Sequence, residues 1–408
     1  MRIALAAVGT TGDVRPFAAL ATSLTDAGHE VTAISWAMHQ DAFAGSGASF
    51  LAAGPPTSAE DVRATAVTAA AQRSPLGQVR VLRDFHLRDG ADHQRALREA
   101  LRGHEVAVIH GIHALAVAAA RDEGVRYATA VFDPVLLPTR TAPPAGMPRL
   151  GPLNGIAWWM LDRAMAGHDR ALGAVLREAG STSGGQHLFR DRSPLLHLVA
   201  VSPAIAPAPA DLAASVVFTG AWVLPTTSEP LAAELEAFLA AGPPPVVVSF
   251  GSMALGDGAA VASQIRGALE AAGLRGLVQA GATGLDGVSD DRVQFVGAVD
   301  HRLLFPRAAL VLHHGGAGTT HAAVAAGVPS VVVPQIGDQR FWAARLEALG
   351  VAPPPLAARD LRAAPLAARL RAAIELAPRA QRLARAVADD KGLGAAVHLI
   401  ESRIGLIA

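Results

Sequence analysis

The run of residues 313–320, His-His-Gly-Gly-Ala-Gly-Thr-Thr, combines the residue types that a doubly anionic diphosphate requires. It lies between an apolar stretch, residues 309–312, and an alanine-rich stretch that is typical of a helix until Gly327. Glycines let the backbone approach a phosphate, and a helix start adds unpaired N–H donors and about half a positive charge. The run predicts a diphosphate site, but a glycine turn whose histidines merely end a strand has the same local sequence.

A second candidate site follows the first apolar strand, where residues 9–13 read Gly-Thr-Thr-Gly-Asp. Open parallel sheets bind ligands at the carboxyl ends of their strands, so we expect Asp13 to face a cleft between two domains. A carboxylate is ionised at neutral pH and can accept the proton of a hydroxyl group without activation. The alternative is that Asp13 is only the N-cap of the helix that follows.

Two further strand ends carry residues that suit a nucleotide-linked sugar. Asp338 and Gln339 follow the apolar run 330–333, and a carboxylate beside an amide can hold vicinal hydroxyls. The same pair is common in solvated loops. Residues 246–252, Val-Val-Val-Ser-Phe-Gly-Ser, form another strand that enters a glycine turn, whose backbone could approach a nucleotide.

Strands that alternate with helices must position these residues, and this alternation predicts an α/β protein with parallel sheets. A chain of 408 residues suits two domains of about 200 residues each. We predict a first domain over 1–205, a proline-rich linker over 206–215, a second domain over 216–385, and a C-terminal helix over 386–408 that crosses back to the first domain. The predicted strands are residues 3–8, 31–35, 106–110, 128–132, 246–250, 276–280, 293–296, 310–312 and 330–333.

Helix signals are clear in two places. The first helix is predicted to have Pro16 in its first turn and Gly28 just beyond its end. Residues 136–180 interrupt the alternation of the first domain, and Trp158 and Met165 share one helical face there with Leu161 and Leu172. That face either docks the helix on the core or lines an apolar substrate pocket.

Composition excludes several classes of function. With 35 basic and 35 acidic residues the chain has no electrostatic footprint for nucleic acid, and without cysteine it has no thiolate nucleophile or sulfur-bound metal. The mean hydropathy of +0.31 reflects alanine, because no apolar run reaches the length of a membrane-spanning helix. Residues 3–8 are too short for the apolar core of a secretion signal. We expect a cytoplasmic protein without stable membrane insertion, with small-molecule partners and no metal site.

Together these residues resemble the family 1 glycosyltransferases of the GT-B fold, in particular the bacterial antibiotic glycosyltransferases and the related sterol glucosyltransferases. The resemblance covers essentially the whole chain. Its most specific motifs are Gly9-x-x-Gly12-Asp13-Val14-x-Pro16 and the stretch from residue 313 to residue 339. It implies two Rossmann-like parallel-sheet domains that face each other across a cleft. It also implies an inverting reaction, without metal or cofactor, between a UDP- or dTDP-sugar donor and a hydroxyl of an apolar natural-product aglycone.

The resemblance assigns Asp13 as the general base, where many relatives carry a histidine. Gly316 stands where plant relatives carry a nucleotide-binding tryptophan. The residues implied at the donor phosphates are His313, Gly315, Gly316, Ala317, Gly318 and Thr319, with Thr10 and Thr11 of the first motif.

The remaining assignments concern the other parts of the two substrates. Ser252 and Val299 are implied to approach the nucleoside, and Asp338 and Gln339 the sugar. The candidates for the acceptor pocket are His110, His113, Asp133 and Trp158.

Two other functions fit the same architecture. A nucleotide-sugar epimerase would convert the donor without any acceptor. A catalytically silent auxiliary protein would keep the fold and bind a partner enzyme, although the intact Asp13 favours catalysis. Asp338 and Gln339 favour a hexose donor, whereas the antibiotic relatives favour deoxysugars on dTDP, and no pattern in the sequence indicates an oligomeric state.

Overall fold

The protein folds into two compact units, each built around one parallel sheet. The structure, a computed structural model, describes residues 1–72, 74–144, 147, 150–184, 187, 190–223, 230–251, 257–280, 284–285 and 287–405. One unit comprises Met1–Pro203, Pro207–Leu224 and Asp390–Ala408, and the other comprises Ala204–Ala206 and Pro225–Asp389. All strand pairs within the described part of the chain are parallel, so the predicted α/β class is confirmed.

The first sheet has the strand order β3-β2-β1-β4-β5-β6-β7. Its strands are β1 (Arg2–Ala6), β2 (Glu30–Ser35), β3 (Ser49–Ala52), β4 (Val106–His110), β5 (Arg126–Val131), β6 (His197–Val199) and β7 (Val216–Phe218). β1 and β4 are almost wholly buried, as parallel strands with both faces covered are. The order of the strands reverses between β1 and β4, and open α/β sheets bind ligands beside such a point.

The helices of the first unit precede and follow these strands. They are α1 (Thr11–Asp26), α2 (Ala59–Ala70), α3 (Pro75–His86), α4 (Gly90–Leu101), α5 (Ala114–Asp122) and α6 (Asn154–Glu178). The N-cap of α1 is Thr10, so Pro16 is the sixth residue of the helix and the prediction that it lies in the first turn is wrong. The helix starts earlier because Thr10 and Asp13 form a capping box across its first turn. Gly28, with φ +84°, follows the end of α1 as predicted.

The second sheet has the strand order β10-β9-β8-β11-β12. Its strands are β8 (Val246–Ser249), β9 (Gly276–Gln279), β10 (Val293–Val296), β11 (Leu310–His313) and β12 (Ser330–Val332). Its helices are α7 (Ala233–Ala240), α8 (Gly258–Ala272), α9 (His301–Leu304), α10 (Ala317–Ala325), α11 (Gln339–Ala348), α12 (Ala363–Ile374) and α13 (Ala377–Val387). The strand order reverses between β8 and β11, and these two strands pair with His313 opposite Ser249.

The chain passes from one unit to the other around residues 204–206, after residue 224 and before residue 390. β7 pairs with β6, so the first unit continues beyond the predicted linker to Leu224. The chain returns to the first unit at Asp390, where α14 (Gly392–Ile400) packs against α1. A hydrogen bond between His29 Nε2 and Glu401 Oε1, at 3.0 Å, holds the end of this segment.

α6 packs its predicted apolar face against the first unit. Trp158, Met165 and Leu172 are buried, and the indole N–H of Trp158 donates to the carbonyl of Ala142 at 2.9 Å. The opposite face carries Trp159, which is 61% exposed. The contacts of Trp158 therefore match the docking alternative.

Candidate active site

His313, the last residue of β11, is held in one tautomer. It is fully buried, and its Nδ1 accepts a hydrogen bond from the backbone N–H of Gly315 at 3.1 Å. The ring proton must therefore lie on Nε2, which has no partner among the described residues. Burial lowers the pKa of His313 to about 3, so the ring is neutral at physiological pH. His313 thus offers one N–H donor from a dry position at the strand end.

Only glycine fits the turn that follows. Gly315 has φ +89°, and a Cβ added there would lie 2.8 Å from Val332 Cγ1 and 3.0 Å from the carbonyl oxygen of Gln339. A Cβ on Gly316 would collide with the imidazole of His314. Because any side chain would force these groups apart, the glycines bring the backbone of the turn close to both β12 and α11.

The N-terminus of α10 follows this turn. The first intrahelical bond runs from the Thr320 N–H to the Gly316 carbonyl at 2.9 Å. The N–H groups of Ala317, Gly318 and Thr319 come before it and have no carbonyl within the helix to bond. Together with Nε2 of His313 they form a set of donors at the positive end of a helix dipole, which suits a diphosphate.

The predicted sugar pair lies beside this turn. Asp338 Oδ2 accepts the indole N–H of Trp342 at 2.8 Å, and Gln339 Oε1 accepts the backbone N–H of Gln335 at 2.7 Å. A Cβ at Gly315 would lie 3.0 Å from the carbonyl oxygen of Gln339, so the predicted phosphate and sugar residues share one edge of the second sheet. These structural bonds fix the orientation of both side chains, and their assignment to the sugar stays a prediction.

The predicted nucleoside residues are only partly visible. Ser252 lies outside the described residues. The carbonyl of Val299 accepts the side-chain amide of Gln279 at 2.9 Å, and Gln279 Oε1 lies 3.1 Å from His301 Nε2. Since His301 Nε2 also lies 3.0 Å from Ser249 Oγ, a polar network joins the ends of β8 and β9.

Sequence reasoning missed the contributions of Gln279 and His314. Burial lowers the pKa of His314 to about 4, and its ring stands over Gly251 and Gly316. The position of Gln279 at the end of a predicted strand was the available signal for its role. No comparable signal marked His314, because its contacts come from glycines on two different turns.

In the first unit, Asp13 is the third residue of α1. Its Oδ2 accepts the backbone N–H of Thr10 at 2.7 Å and the Thr10 hydroxyl at 2.8 Å. Asp13 is therefore the acidic partner of the capping box, and the alternative that it is the N-cap is wrong because Thr10 occupies that position. Both hydrogen bonds go to Oδ2, and Oδ1 accepts none from the described residues. A Cβ on Gly9 would lie 2.9 Å from Asp13 Cγ, so Gly9 is required for this packing.

Two of the acceptor-pocket candidates lie near Asp13. His110 Nδ1 donates to the carbonyl of Val8 at 3.1 Å, which leaves Nε2 as an acceptor. Burial lowers the pKa of His110, and the charge of Asp13 offsets part of this shift. Burial raises the pKa of Asp133 to about 6, and Asp13 adds to that shift. The carboxyl ends of β1, β4 and β5 thus gather these three groups.

An aromatic cluster, formed by Phe17, Phe132 and Trp222, packs against the same group. The ring centroids of Phe17 and Phe132 lie 5.8 Å apart, those of Phe132 and Trp222 lie 6.0 Å apart, and His110 lies 5.2 Å from Phe132. All three rings are buried, so the cluster fixes His110 against the core of the first unit.

The structure does not gather all of the predicted residues. The ring of His113 packs against the ring of His93, with centroids 5.3 Å apart. Trp158 makes no ring contact with the aromatic cluster among the described residues. Thr10 and Thr11 belong to the first unit, where Thr10 bonds Asp13 and Thr11 is the exposed first residue of α1, and their assignment to the donor phosphates stays a prediction.

The described part of the chain has neither a metal-binding cluster nor a membrane-spanning helix. No group of three or more histidine or acidic side chains in that part of the chain is arranged to hold a metal ion. No helix in it is both long and apolar enough to cross a bilayer.

Comparisons with known proteins agree with this fold. Residues 278–391 match the family described as erythromycin biosynthesis protein CIII-like, C-terminal domain. The vancomycin aglycone glucosyltransferase of Amycolatopsis orientalis is 34% identical over 363 residues, which cover 86% of this chain and 85% of the relative. The O-mycaminosyltylonolide 6-deoxyallosyltransferase of Streptomyces fradiae is 31% identical, with 98% and 97% covered. The crystal structure of the glycotransferase of kitacinnamycin superposes with a TM-score of 0.71 at 22% identity, with 98% of each chain covered.

The two parallel sheets and these relatives define an enzyme, a glycosyltransferase of the GT-B fold. The chain belongs to the family of antibiotic glycosyltransferases. The resemblance drawn from the sequence motifs is thereby confirmed.

Proposed function

We propose that this glycosyltransferase moves a hexose or deoxyhexose from UDP or dTDP to a hydroxyl of an apolar natural-product aglycone. The reaction inverts the anomeric centre and needs neither metal nor organic cofactor. The observation that carries the proposal is the buried His313, whose unpartnered Nε2–H stands beside the free amides of α10. Such a site binds the diphosphate of the donor.

Stabilisation of the leaving group is the larger part of the catalytic task. As the bond between the anomeric carbon and the phosphate oxygen breaks, the electron pair and negative charge move to the nucleoside diphosphate. Fixed donors stabilise that charge without reorganisation, and each charge-assisted hydrogen bond contributes about 1.5–3 kcal/mol. Three amides and one imidazole could together replace the metal ion that other glycosyl transfers use.

Asp13 acts as the general base in this proposal. The acceptor hydroxyl attacks the anomeric carbon from the side opposite the phosphate, which inverts its configuration. The hydroxyl proton passes to Oδ1 of Asp13, the oxygen that accepts no hydrogen bond from the capping box. Proton transfer to a positioned base contributes about 10²–10⁴ in rate.

An apolar natural-product acceptor is supported by the relatives. The relatives include a glucosyltransferase of the vancomycin aglycone and a 6-deoxyallosyltransferase of O-mycaminosyltylonolide. Since these two enzymes differ in the sugar transferred, hexose and deoxyhexose donors both belong in the first assays.

The function is tested by product analysis. The enzyme, incubated with UDP-glucose or a dTDP-deoxyhexose and a set of polyketide and glycopeptide aglycones, should give one glycoside of β configuration from an α-linked donor. Activity should persist in excess EDTA. Retention of configuration, dependence on a divalent metal, or conversion of the donor without any acceptor would each contradict the proposal, and the last result would indicate an epimerase.

His313→Ala should weaken the binding of UDP or dTDP. Loss of one charge-assisted hydrogen bond corresponds to about a 10- to 150-fold rise in dissociation constant. Isothermal titration calorimetry with the diphosphate alone measures this effect. His321→Ala is the matched control, because His321 lies on α10 but its Nδ1 is engaged by the Ala317 carbonyl. Equal affinities for wild type and His313→Ala would exclude the phosphate role.

A further inference from the structure

The solvent side of α6 is apolar over its first two turns. Ile156, Trp159 and Met160 lie at spacings of three and four residues, so they share one face of the helix, and each is at least half exposed. Leu150 and Leu153, just before the helix, are exposed as well. Exposed apolar side chains gathered in one stretch of surface are typical of an interaction site.

The same side of α6 becomes basic further along. Arg163, Arg170 and Arg177 follow one another at intervals of seven residues, which is close to two helical turns. Since Ile156 precedes Arg163 by the same interval, all four belong to one row along the helix. This row, with Trp159 and Met160 beside its start, is the outer face of α6. The outer face therefore has an apolar end and a basic end.

The three arginines of the outer face are available to a partner. All three are exposed, and none of them forms an ion pair among the described residues. The guanidinium of Arg163 lies 6.0 Å from the ring centroid of Trp159. This contact joins the basic end of the face to its apolar end.

The acidic residues of α6 lie mostly away from this face. Asp162 and Asp169 are seven residues apart on a neighbouring row, and both form ion pairs with Arg190. Glu178, the last residue of the helix, is the one acid of α6 without an ion pair among the described residues. Three guanidinium groups on the outer face thus stand against a single carboxylate at its end, so the face attracts anions.

A second copy of this chain does not suit the outer face. In a two-fold dimer the same patch meets itself. Either the arginines of the two copies face each other, or the arginines of one copy cover the apolar end of the other. Both arrangements bury charge without a partner, which costs free energy.

The surface of an anionic bilayer suits both ends of the face at once. Tryptophan and aliphatic side chains enter the boundary between headgroups and acyl chains, and arginines stay at the level of the phosphates. Trp159 is 61% exposed and projects from the helix. Lipids rearrange around a projecting side chain, whereas a protein partner would need a pocket of matching shape.

We propose that the outer face of α6 docks this protein reversibly on a bilayer that contains acidic phospholipids. Ile156, Trp159 and Met160 enter the headgroup boundary, and the three arginines bind lipid phosphates. The helix lies in the plane of the surface and does not cross it. Neither Asp13 nor the His313 turn takes part, so the proposal is independent of the proposed function.

Flotation of the full-length protein with vesicles tests the docking. Vesicles of equal parts phosphatidylglycerol and phosphatidylcholine should bind the protein about 10-fold or more tightly than vesicles of phosphatidylcholine alone. Trp159 is the one exposed tryptophan, because the other four are buried. A shift of the tryptophan emission to shorter wavelength on binding therefore reports the entry of Trp159 into lipid.

Two variants separate the ends of the face. Arg163→Gln, Arg170→Gln and Arg177→Gln together should weaken binding about 100-fold, since each arginine near an anionic surface contributes about fivefold. Ile156→Ser with Met160→Ser keeps the charge and should weaken binding about 10-fold. All five side chains are exposed, so both variants should fold.

The matched control is a triple variant with the same change in net charge. Arg379→Gln, Arg382→Gln and Arg385→Gln remove three exposed arginines from α13 and should leave vesicle binding unchanged. An equal loss in this control would show a general attraction of charge and would overturn the assignment to α6.

Three other results would also overturn it. They are equal binding to both kinds of vesicle, binding that is the same in the α6 arginine variant, and an emission that does not shift on binding. A dimer in vesicle-free solution that dissociates in Ile156→Ser with Met160→Ser would assign the face to a second copy instead. None of these measurements needs sugar transfer, so a failure of the proposed function would leave them unaffected.

Discussion

Replacement of Asp13 by asparagine should lower turnover about 100-fold or more and leave the affinity for UDP or dTDP unchanged. Asparagine has nearly the same shape as aspartate but cannot take the proton of the acceptor hydroxyl. Its side-chain oxygen can still accept the two hydrogen bonds from Thr10, so α1 remains capped. Steady-state rates measure the first effect, and calorimetry with the nucleotide alone measures the second.

Thr10→Val separates the catalytic role of Asp13 from its capping role. This change removes the 2.8 Å bond from the Thr10 hydroxyl and keeps the carboxylate. It should cost about 1 kcal/mol of stability, as the loss of an N-cap side chain does, with turnover within a few-fold of wild type. Near-normal turnover in Asp13→Asn would refute the base assignment. A large loss of turnover in Thr10→Val would show that capping, and not proton transfer, explains the effect of Asp13.

Acidification from pH 7 to pH 5.5 should remove several kcal/mol from the free energy of unfolding. Burial lowers the pKa of six histidines well below 6.5: His86, His93 and His314 to about 4, His197 and His313 to about 3, and His113 by a large amount. Between pH 6.5 and these values the unfolded chain binds more protons than the folded one, so stability falls as pH falls. Between pH 7 and pH 5.5, each such histidine lowers the free energy of unfolding by about 1 kcal/mol.

The total is comparable with the stability of a typical domain, about 5–15 kcal/mol, so the protein should unfold at a mildly acidic pH. Urea unfolding at pH 7.5, 6.5 and 5.5 measures how steeply the free energy of unfolding falls as the pH is lowered. His197→Asn should reduce that slope by about one proton, because the buried ring is removed while asparagine can still bond the Thr129 hydroxyl that contacts His197 at 2.7 Å. The exposed His398→Asn is the control. An unfolding free energy that does not change with pH, or whose pH dependence is the same in His197→Asn, would show that the buried histidines do not destabilise the protein in acid.

The longer apolar strands were predictable because they are buried on both faces and read as continuous Val, Ile and Leu runs. β3, β6 and β7 were missed. β3 is a half-exposed strand at the edge of the sheet, and β6 and β7 have three residues each, so none carries enough periodic signal. The extension of the first unit to Leu224 follows from β7, and for this reason the predicted linker over 206–215 lies before the last strand of that unit.

The candidate site was predictable where its signal is local. The glycines at 315 and 316 and the start of α10 occupy consecutive positions, so their pattern alone predicts a glycine turn that leads from a strand into a helix. The sequence could not decide whether Trp158 docks its helix on the core or lines a substrate pocket. Both alternatives place the residue on the same helical face.

The sequence by itself determined which residue types stand at the carboxyl ends of the strands, because strands, turns and helix starts are encoded over a few neighbouring residues. Only the tertiary structure decided that Thr10 caps α1 and Asp13 completes the box, and that His313 is neutral with its proton on Nε2. Each of these depends on burial or on close contacts made by the folded backbone, and neither can be inferred from residue type and spacing alone.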